Sequence, residues 1–309
     1  MNEPTLRQLR FLVAVADHGS LQAAARALHM SPTGLSLGLD ELEHVIGVPL
    51  TVRRRAKGAA LTPAGRAVVA QAREIHTAVT ELSTIANQLH GKLVGSVGVG
   101  CFPSLSPTLI PELLERLEQT YPELQVEVLE SPADELQARL REGDLELACM
   151  FESQVDPDLE FIRLMPTQSR VQISPRHRFG RRRGLRLAEL VEERLVLLDI
   201  GPHAEATLAL FGDRGLTPRI LASTANIETV RSLVARGMGY TITMARVMRH
   251  DSIEGWPLVY IPLTDPLPEN SVVVAHRPDV SLTARAEAVF ASLRSIGIST
   301  GQIQNNPNR

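Results

Sequence analysis

Arg53, Arg54, Arg55 and Lys57 place four cations within five positions, between the apolar runs Val48-Pro49-Leu50 and Leu61-Thr62-Pro63. Guanidinium and ammonium groups crowded on a short turn bind phosphate oxygens and displace counterions, so the chemistry on offer is a grip on a polyanion. Just upstream, Ser31, Pro32, Thr33, Ser36 and Leu37 fall on the outward side of a short helix. The face of Thr33, Ser36 and Leu37 offers few hydrogen bonds to base edges, though Leu37 suits a thymine methyl group. A cationic hairpin tip beside an exposed helix is the pair of tools a winged helix uses on duplex DNA.

Two elements must position that face. Leu21, Ala24, Ala25 and Leu28 recur at i, i+3, i+4 and i+7, which predicts a helix capped by Ser20 and ending near His29-Met30. Ser31-Pro32 then opens a second helix, with a capping hydroxyl and a proline where no N–H is missed. Leu35, Leu39 and Leu42 face inward. The two helices and their tight turn read as helix-turn-helix, although an ordinary helical hairpin shares the pattern on this stretch alone.

After Pro63 the period changes. Val68, Ala72, Ile75, Val79, Leu82, Ala86 and Leu89 alternate spacings of four and three, a heptad seam that predicts one long helix closing at His90-Gly91-Lys92. A two-fold pair of such helices would match a two-fold operator. A long surface helix packed on its own domain is the other reading.

Net charge over 309 residues is −3, which fits a DNA binder only when divided by region. Residues 1–62 carry seven Arg and Lys against five Asp and Glu, with the cations concentrated at the turn. The N-terminus lacks an apolar signal core, and no run approaches a membrane span, so a cytoplasmic protein without membrane contact is expected. Cys101 and Cys149 stand in apolar strand-like surroundings and read as buried, inert thiols. No GxxxxGK[ST], HExxH or GxSxG occurs, the glycine pairs at 98–100 and 237–239 lack the third glycine of a dinucleotide site, and no histidine shows metal-ligand spacing. The expectation is therefore a protein that is not an enzyme, with no cofactor and no metal. The basic run 176–183 has no interleaved aromatics beyond Phe179 and reads as a solvated loop, with a contact to DNA or to an acidic neighbour in the oligomer as the other reading.

The residues Leu6-Arg7-Gln8-Leu9-Arg10-Phe11, Gly19-Ser20-Leu21, Ala24-Ala25, Leu28, Ser31, Leu35-Ser36, Leu42-Glu43, Gly47-Val48-Pro49-Leu50, Arg53, Leu61-Thr62 and Ala64-Gly65 carry a resemblance to the LysR-type transcriptional regulators. It extends more loosely to about Thr300. Members usually have glutamine where this chain has Pro32, and a polar residue followed by glutamine where it has Leu37-Gly38. The resemblance implies a DNA-binding regulator responding to a small-molecule effector, working as a homodimer or homotetramer on a double-stranded operator.

From Leu93 onward strands and helices alternate, which predicts right-handed crossovers onto parallel sheet. The expected fold is thus α/β with an N-terminal all-α winged helix-turn-helix, and two lobes that resemble the family's periplasmic-binding-protein-like effector domain. Expected boundaries are 1–62 for the DNA-binding domain, 63–92 for the linker helix, 93–300 for the effector domain and 301–309 for a polar tail. Lobe I would hold about 93–162 and 266–300, and lobe II about 163–265.

In such folds ligands lie at strand carboxyl ends and helix N-termini. That rule selects the loop at 101–107, with Phe102, Ser104 and a capping Ser106, then Gly201 and His203, then Thr224 and Asn226. Ser104 also falls near a serine or threonine usual in the family's first cleft loop. Helix N-termini favour anions, so a small carboxylate is the expected ligand class. For Ser104, Thr224 and Asn226, plain helix capping stands beside ligand contact. The rival function is a ligand-binding module or small-molecule enzyme whose N-terminal helices mediate protein contacts only. It predicts DNA affinity without sequence preference.

Overall fold

The structure is a computed structural model that describes residues 3–54, 58–88, 93–244 and 250–304. Two compact units divide the chain. One is Met1–Gly95 with Ala138–Leu145, and the other Ser96–Gln137 with Glu146–Arg309.

The first unit runs α1 (Leu6–His18), α2 (Leu21–Ala27), α3 (Pro32–Ile46), β1 (Thr51–Arg54), β2 (Gly58–Leu61) and α4 (Pro63–Gln88). Each start has its cap. Thr5 and Gln8 form a capping box at α1, Ser20 Oγ accepts from the Ala23 amide, and Ser31 Oγ accepts from the Gly34 amide with Pro32 in the first turn. Gly19 and Gly47 end α1 and α3 in the left-handed conformation, at φ of 64° and 84°. Leu12, Ala24, Ala25, Leu35, Leu39, Leu42 and Leu50 form the middle of the core, closed by Val69 and Ala72 of α4.

Gly38 has a packing reason. A Cβ at this position would lie 2.5 Å from the Phe11 ring, so α1 and α3 can cross here only over a bare Cα. The propensity cost of a helical glycine, about 1 kcal/mol, is thereby offset by close apposition of two buried faces.

The second unit contains β3 (Gly95–Cys101), α5 (Ser106–Thr120), β4 (Leu124–Glu130), α6 (Ala133–Glu142), β5 (Leu147–Phe151), β6 (Glu160–Thr167) and β7 (Arg170–Ile173). It continues through β8 (Arg194–Leu198), α7 (Pro202–Gly212), β9 (Arg219–Thr224), α8 (Ile227–Ala235), β10 (Tyr240–Thr243), β11 (Val259–Pro262), β12 (Asn270–His276) and α9 (Ala284–Gln304). The boundary with the first unit cuts through α6, and the first residue of β3 counts with the first unit. Two five-stranded sheets result, ordered β4-β3-β5-β12-β6 and β11-β7-β10-β8-β9.

Neither sheet is purely parallel. Strands β3 and β5 pair in parallel, as do β8 with β9 and with β10. The returning strand β12 inserts antiparallel between β5 and β6, and β7 runs antiparallel to both β10 and β11. Crossover helices impose parallel pairing only on the strands they join, and the strands that carry the chain between sheets are free of that rule. The segment 187–191 forms a short 3₁₀ turn at Leu187–Leu190. Helix α9 continues to Gln304, beyond the start expected for the polar tail. Among the described residues no helix is long and apolar enough to cross a membrane.

Candidate DNA interface and effector cleft

The candidate DNA face is built on α3. Its inner residues are buried, and this leaves Ser31, Pro32 and Thr33 exposed, Ser36 half-buried and Leu37 59% exposed. A leucine so exposed in a 15-residue helix contributes nothing to its own core, which is the property a base-contacting residue needs.

Beside it, β1 and β2 pair antiparallel from Thr51↔Leu61 to Arg54↔Gly58. The backbones of Arg53 and Arg54 therefore lie on the hairpin, while Arg55 and Lys57 lie outside the described residues. Both ends of the hairpin are fastened. Glu43 Oε1 accepts from the amides of Leu50 and Thr51, each at 2.8 Å, and from the Thr51 hydroxyl at 3.0 Å. The Thr62 hydroxyl donates to the Pro49 carbonyl and accepts from the Gly65 amide, each at 2.9 Å. A Cβ on Gly65 would meet the Leu50 carbonyl oxygen at 2.0 Å, so the first turn of α4 needs glycine to lie on the hairpin base.

Farther along α4, Ile75 and Val79 are each 42% exposed and Leu82 is 67% exposed. Val68 and Ala72 pack on the helix-turn-helix core. Only the distal seam is thus left uncovered within the described residues of the chain. Leu89, His90, Gly91 and Lys92 lie outside the described residues, as does the side chain of Ala86.

In the second unit a cavity of about 190 Å³ opens between the strand ends of the two sheets. Ser104 and His203 line it. Phe102 does not. It is fully buried behind His203, with ring centroids 6.1 Å apart, and it packs edge-on against Phe151 at 5.9 Å. Gly201 also stays outside the lining. At φ 49° it begins α7 and so sets where His203 falls.

Thr224 and Asn226 act locally instead. Thr224 Oγ1 accepts from the Asn226 amide, and Asn226 Oδ1 accepts from the amides of Glu228 and Thr229 at 2.9 and 3.2 Å. Ser106 is no cap. Its hydroxyl donates to Glu130 Oε1 at 2.5 Å, and the residue before α5, Leu105, makes no side-chain cap.

Sequence reasoning missed the polar floor. Gln172, Thr241 and Tyr260 sit in register across β7, β10 and β11, so that one face of lobe II presents all three toward the cavity. Gln172 Nε2 donates to the Tyr260 oxygen at 2.6 Å, and Arg231 of α8 donates to the same oxygen at 2.8 Å. Arg231 also donates to the Asp251 carbonyl at 2.5 Å and lies 3.5 Å from Glu228 Oε1. The signal available was a glutamine inside the apolar strand 170–173. It became readable only once strand register set it beside Thr241 and Tyr260.

Burial controls the titration of this site. The His203 side chain is only 4% exposed, and desolvation lowers its pKa to about 4, so the imidazole is neutral at physiological pH. Burial likewise raises the Tyr260 phenol, against the opposing influence of Arg231. Among the described residues no cluster of His, Cys, Asp or Glu could hold a metal ion.

Family models match both units. Residues 6–66 match the bacterial regulatory helix-turn-helix of the lysR family, and residues 90–296 match the LysR substrate binding domain. The DNA-binding transcriptional dual regulator OxyR of Escherichia coli is 28% identical over 298 residues, covering 94% of this chain and 95% of its own. HinK, a LysR family regulator from Pseudomonas aeruginosa, superposes with a TM-score of 0.63 at 28% identity, over 97% of this chain and 100% of its own. Full-length OxyR from the same organism, in a cysteine variant, has a TM-score of 0.72 at 23% identity, over 94% of this chain and 98% of its own, and shares the fold.

Proposed function

We propose a working arrangement on the premise that this chain belongs to the LysR family of bacterial regulators. It is a DNA-binding transcriptional regulator that responds to a small-molecule effector, and it is not an enzyme. In our reading α3 enters the major groove, with Thr33, Ser36 and Leu37 at base edges and Ser31 and Pro32 at the groove's rim. Arg53, Arg54, Arg55 and Lys57 hold the flanking phosphates. With only two short hydroxyls and one leucine facing the bases, selectivity leans on the hairpin and on DNA shape. The observation that carries this reading is the fastening of the hairpin to α3 through Glu43, which makes one rigid face of the two contact elements.

Helix α4 pairs two copies through Ile75, Val79 and Leu82, and two such dimers form a tetramer on a recognition half-site and an activation half-site. The protein acts in the cytoplasm, where its operator is. Effector in the cavity favours one lobe orientation, which alters the angle between paired helix-turn-helix units and hence DNA bending.

Several relatives are named as activators of hydrogen peroxide-inducible genes, among them that of Pectobacterium carotovorum. Our reading favours a bound molecule over thiol oxidation in this chain. Its two cysteines are fully buried and directly paired in register on β3 and β5. The hydrogen bond to Cys149, with burial behind it, holds the Cys101 thiol well above the usual range, where thiolate is scarce. Footprinting on the DNA beside its own gene, at stated salt and with and without candidate compounds, tests the arrangement. Protection over two or more helical turns that changes with one compound is expected. Protection no better than on random DNA would overturn it.

A further inference from the structure

The three helix N-termini beside the cavity have already used most of their amide donors. At α5 the Ser106 amide bonds to the Phe102 carbonyl and that of Thr108 to Leu105, with Pro107 between them. At α7, Pro202 has no N–H, and the amides of His203 and Ala204 bond to Ile200 and Gly201. At α8 the second and third amides are taken by Asn226. The anion cradle expected from the sequence is therefore largely filled from within the chain.

The charges of the lining are likewise spoken for. Arg231 and Glu228 stand as an ion pair 3.5 Å apart, and the guanidinium is further held by the Tyr260 oxygen and the Asp251 carbonyl. An entering carboxylate would lose its water and find no uncommitted cation in exchange. Among the described residues of the lining, His203 is the uncharged one with a buried polar atom, Nδ1, that has no hydrogen-bond partner. A neutral imidazole offers one donor and one lone pair, and a hydroxyl can answer either. Around it the wall is largely apolar, with Pro103, Phe151, Leu198, Val230, Ile242 and Met244. A space of about 190 Å³ suffices for a ring compound.

We propose that the cavity takes an uncharged molecule with an apolar ring and a hydroxyl group, the hydroxyl bonding to the His203 imidazole. This rests on the reading of the cavity as the effector site. The test is calorimetric titration of the full-length protein with matched pairs that share a ring and differ in one group: 4-ethylphenol against 4-ethylbenzoate, and 2-naphthol against 2-naphthoate. The hydroxyl member of each pair should bind at least tenfold more tightly. His203→Phe, which keeps a ring but no hydrogen bond, should erase that preference, while His203→Gln should keep part of it and guards against a folding defect.

Tighter binding by the carboxylates, or a preference untouched in His203→Phe, overturns the proposal. So does the absence of binding by both series. The cavity as effector site falls separately, if a compound that alters the footprint still does so in the Gln172→Leu and Thr241→Val variants.

Discussion

Glu43, in the last turns of α3, accepts both the amide and the hydroxyl of Thr51, the first residue of the hairpin, at 2.8 and 3.0 Å. A carboxylate with three donors on one oxygen pins α3 to the strand that carries Arg53 and Arg54. Hydrogen bonds to a charged group contribute about 1.5–3 kcal/mol each, more than neutral ones.

Replacing Glu43 with Ala should lower the unfolding free energy of the first unit by about 1–3 kcal/mol and weaken operator binding, because the hairpin loses its angle to α3. Chemical denaturation and a DNA titration at fixed salt check this. Unchanged affinity in a folded variant would show that the hairpin holds its position without the carboxylate.

Gly38→Ala sets two effects against each other. Alanine gains about 1 kcal/mol of helix propensity, whereas forcing a methyl into a packed core costs about 1–3 kcal/mol. The Phe11 ring stands 2.5 Å from the new Cβ and is itself 7% exposed, with little room to withdraw. Net destabilisation is expected, read as a lowered melting temperature. Phe11→Leu in the same chain should relieve part of it.

The helices and strands were legible because each has local punctuation. Ser31-Pro32 and Gly47 bound α3, Gly19 ends α1, and the apolar strands alternate with helices, of which α8 is capped by Asn226. The candidate site was legible only in part, for a physical reason. Ser104, in a loop, and His203, in the first turn of α7, follow from where strands end, but Gln172, Thr241 and Tyr260 meet only through pairing of β7 with β10 and β11, strands up to 88 residues apart. Asn226 and Thr224 were equally visible as caps or ligand contacts, and the amide donors nearby satisfied them locally. Helix propensity alone makes Gly38 a defect, because propensity is local, while the Phe11 ring that needs its bare Cα is distant in sequence.

Arg54→Ala should weaken binding to every DNA sequence alike and reduce the slope of log K against log salt by about one. The β1–β2 register puts its backbone at the last pair before the tip, opposite Gly58. Affinities measured across a salt series decide it, and an unaltered slope would remove this residue from the phosphate contacts.

Changing Leu82 and Leu89 together to Lys should yield monomers with weak operator binding. Leu82 is 67% exposed in the single chain, and a lysine there costs nothing unless a second copy covers it. Sedimentation or light scattering gives the answer. A dimer that survives would place the interface away from the α4 seam.

His203 makes a pH dependence whose sign can be worked out. Its folded pKa lies near 4, below the 6.5 of the unfolded chain, so between these values the unfolded state binds the extra proton. Stability conferred by keeping the ring neutral is complete above about pH 6.5 and is lost as pH falls toward 4. At about 1.4 kcal/mol per pH unit the interval amounts to roughly 3 kcal/mol. Unfolding free energies of the second unit measured from pH 7.5 down to pH 4 should decline by about that much more in the native chain than in His203→Gln, which has no proton to take up. Parallel curves for the two proteins would mean that the imidazole titrates as it does in water and that the cavity wall around it is open to solvent.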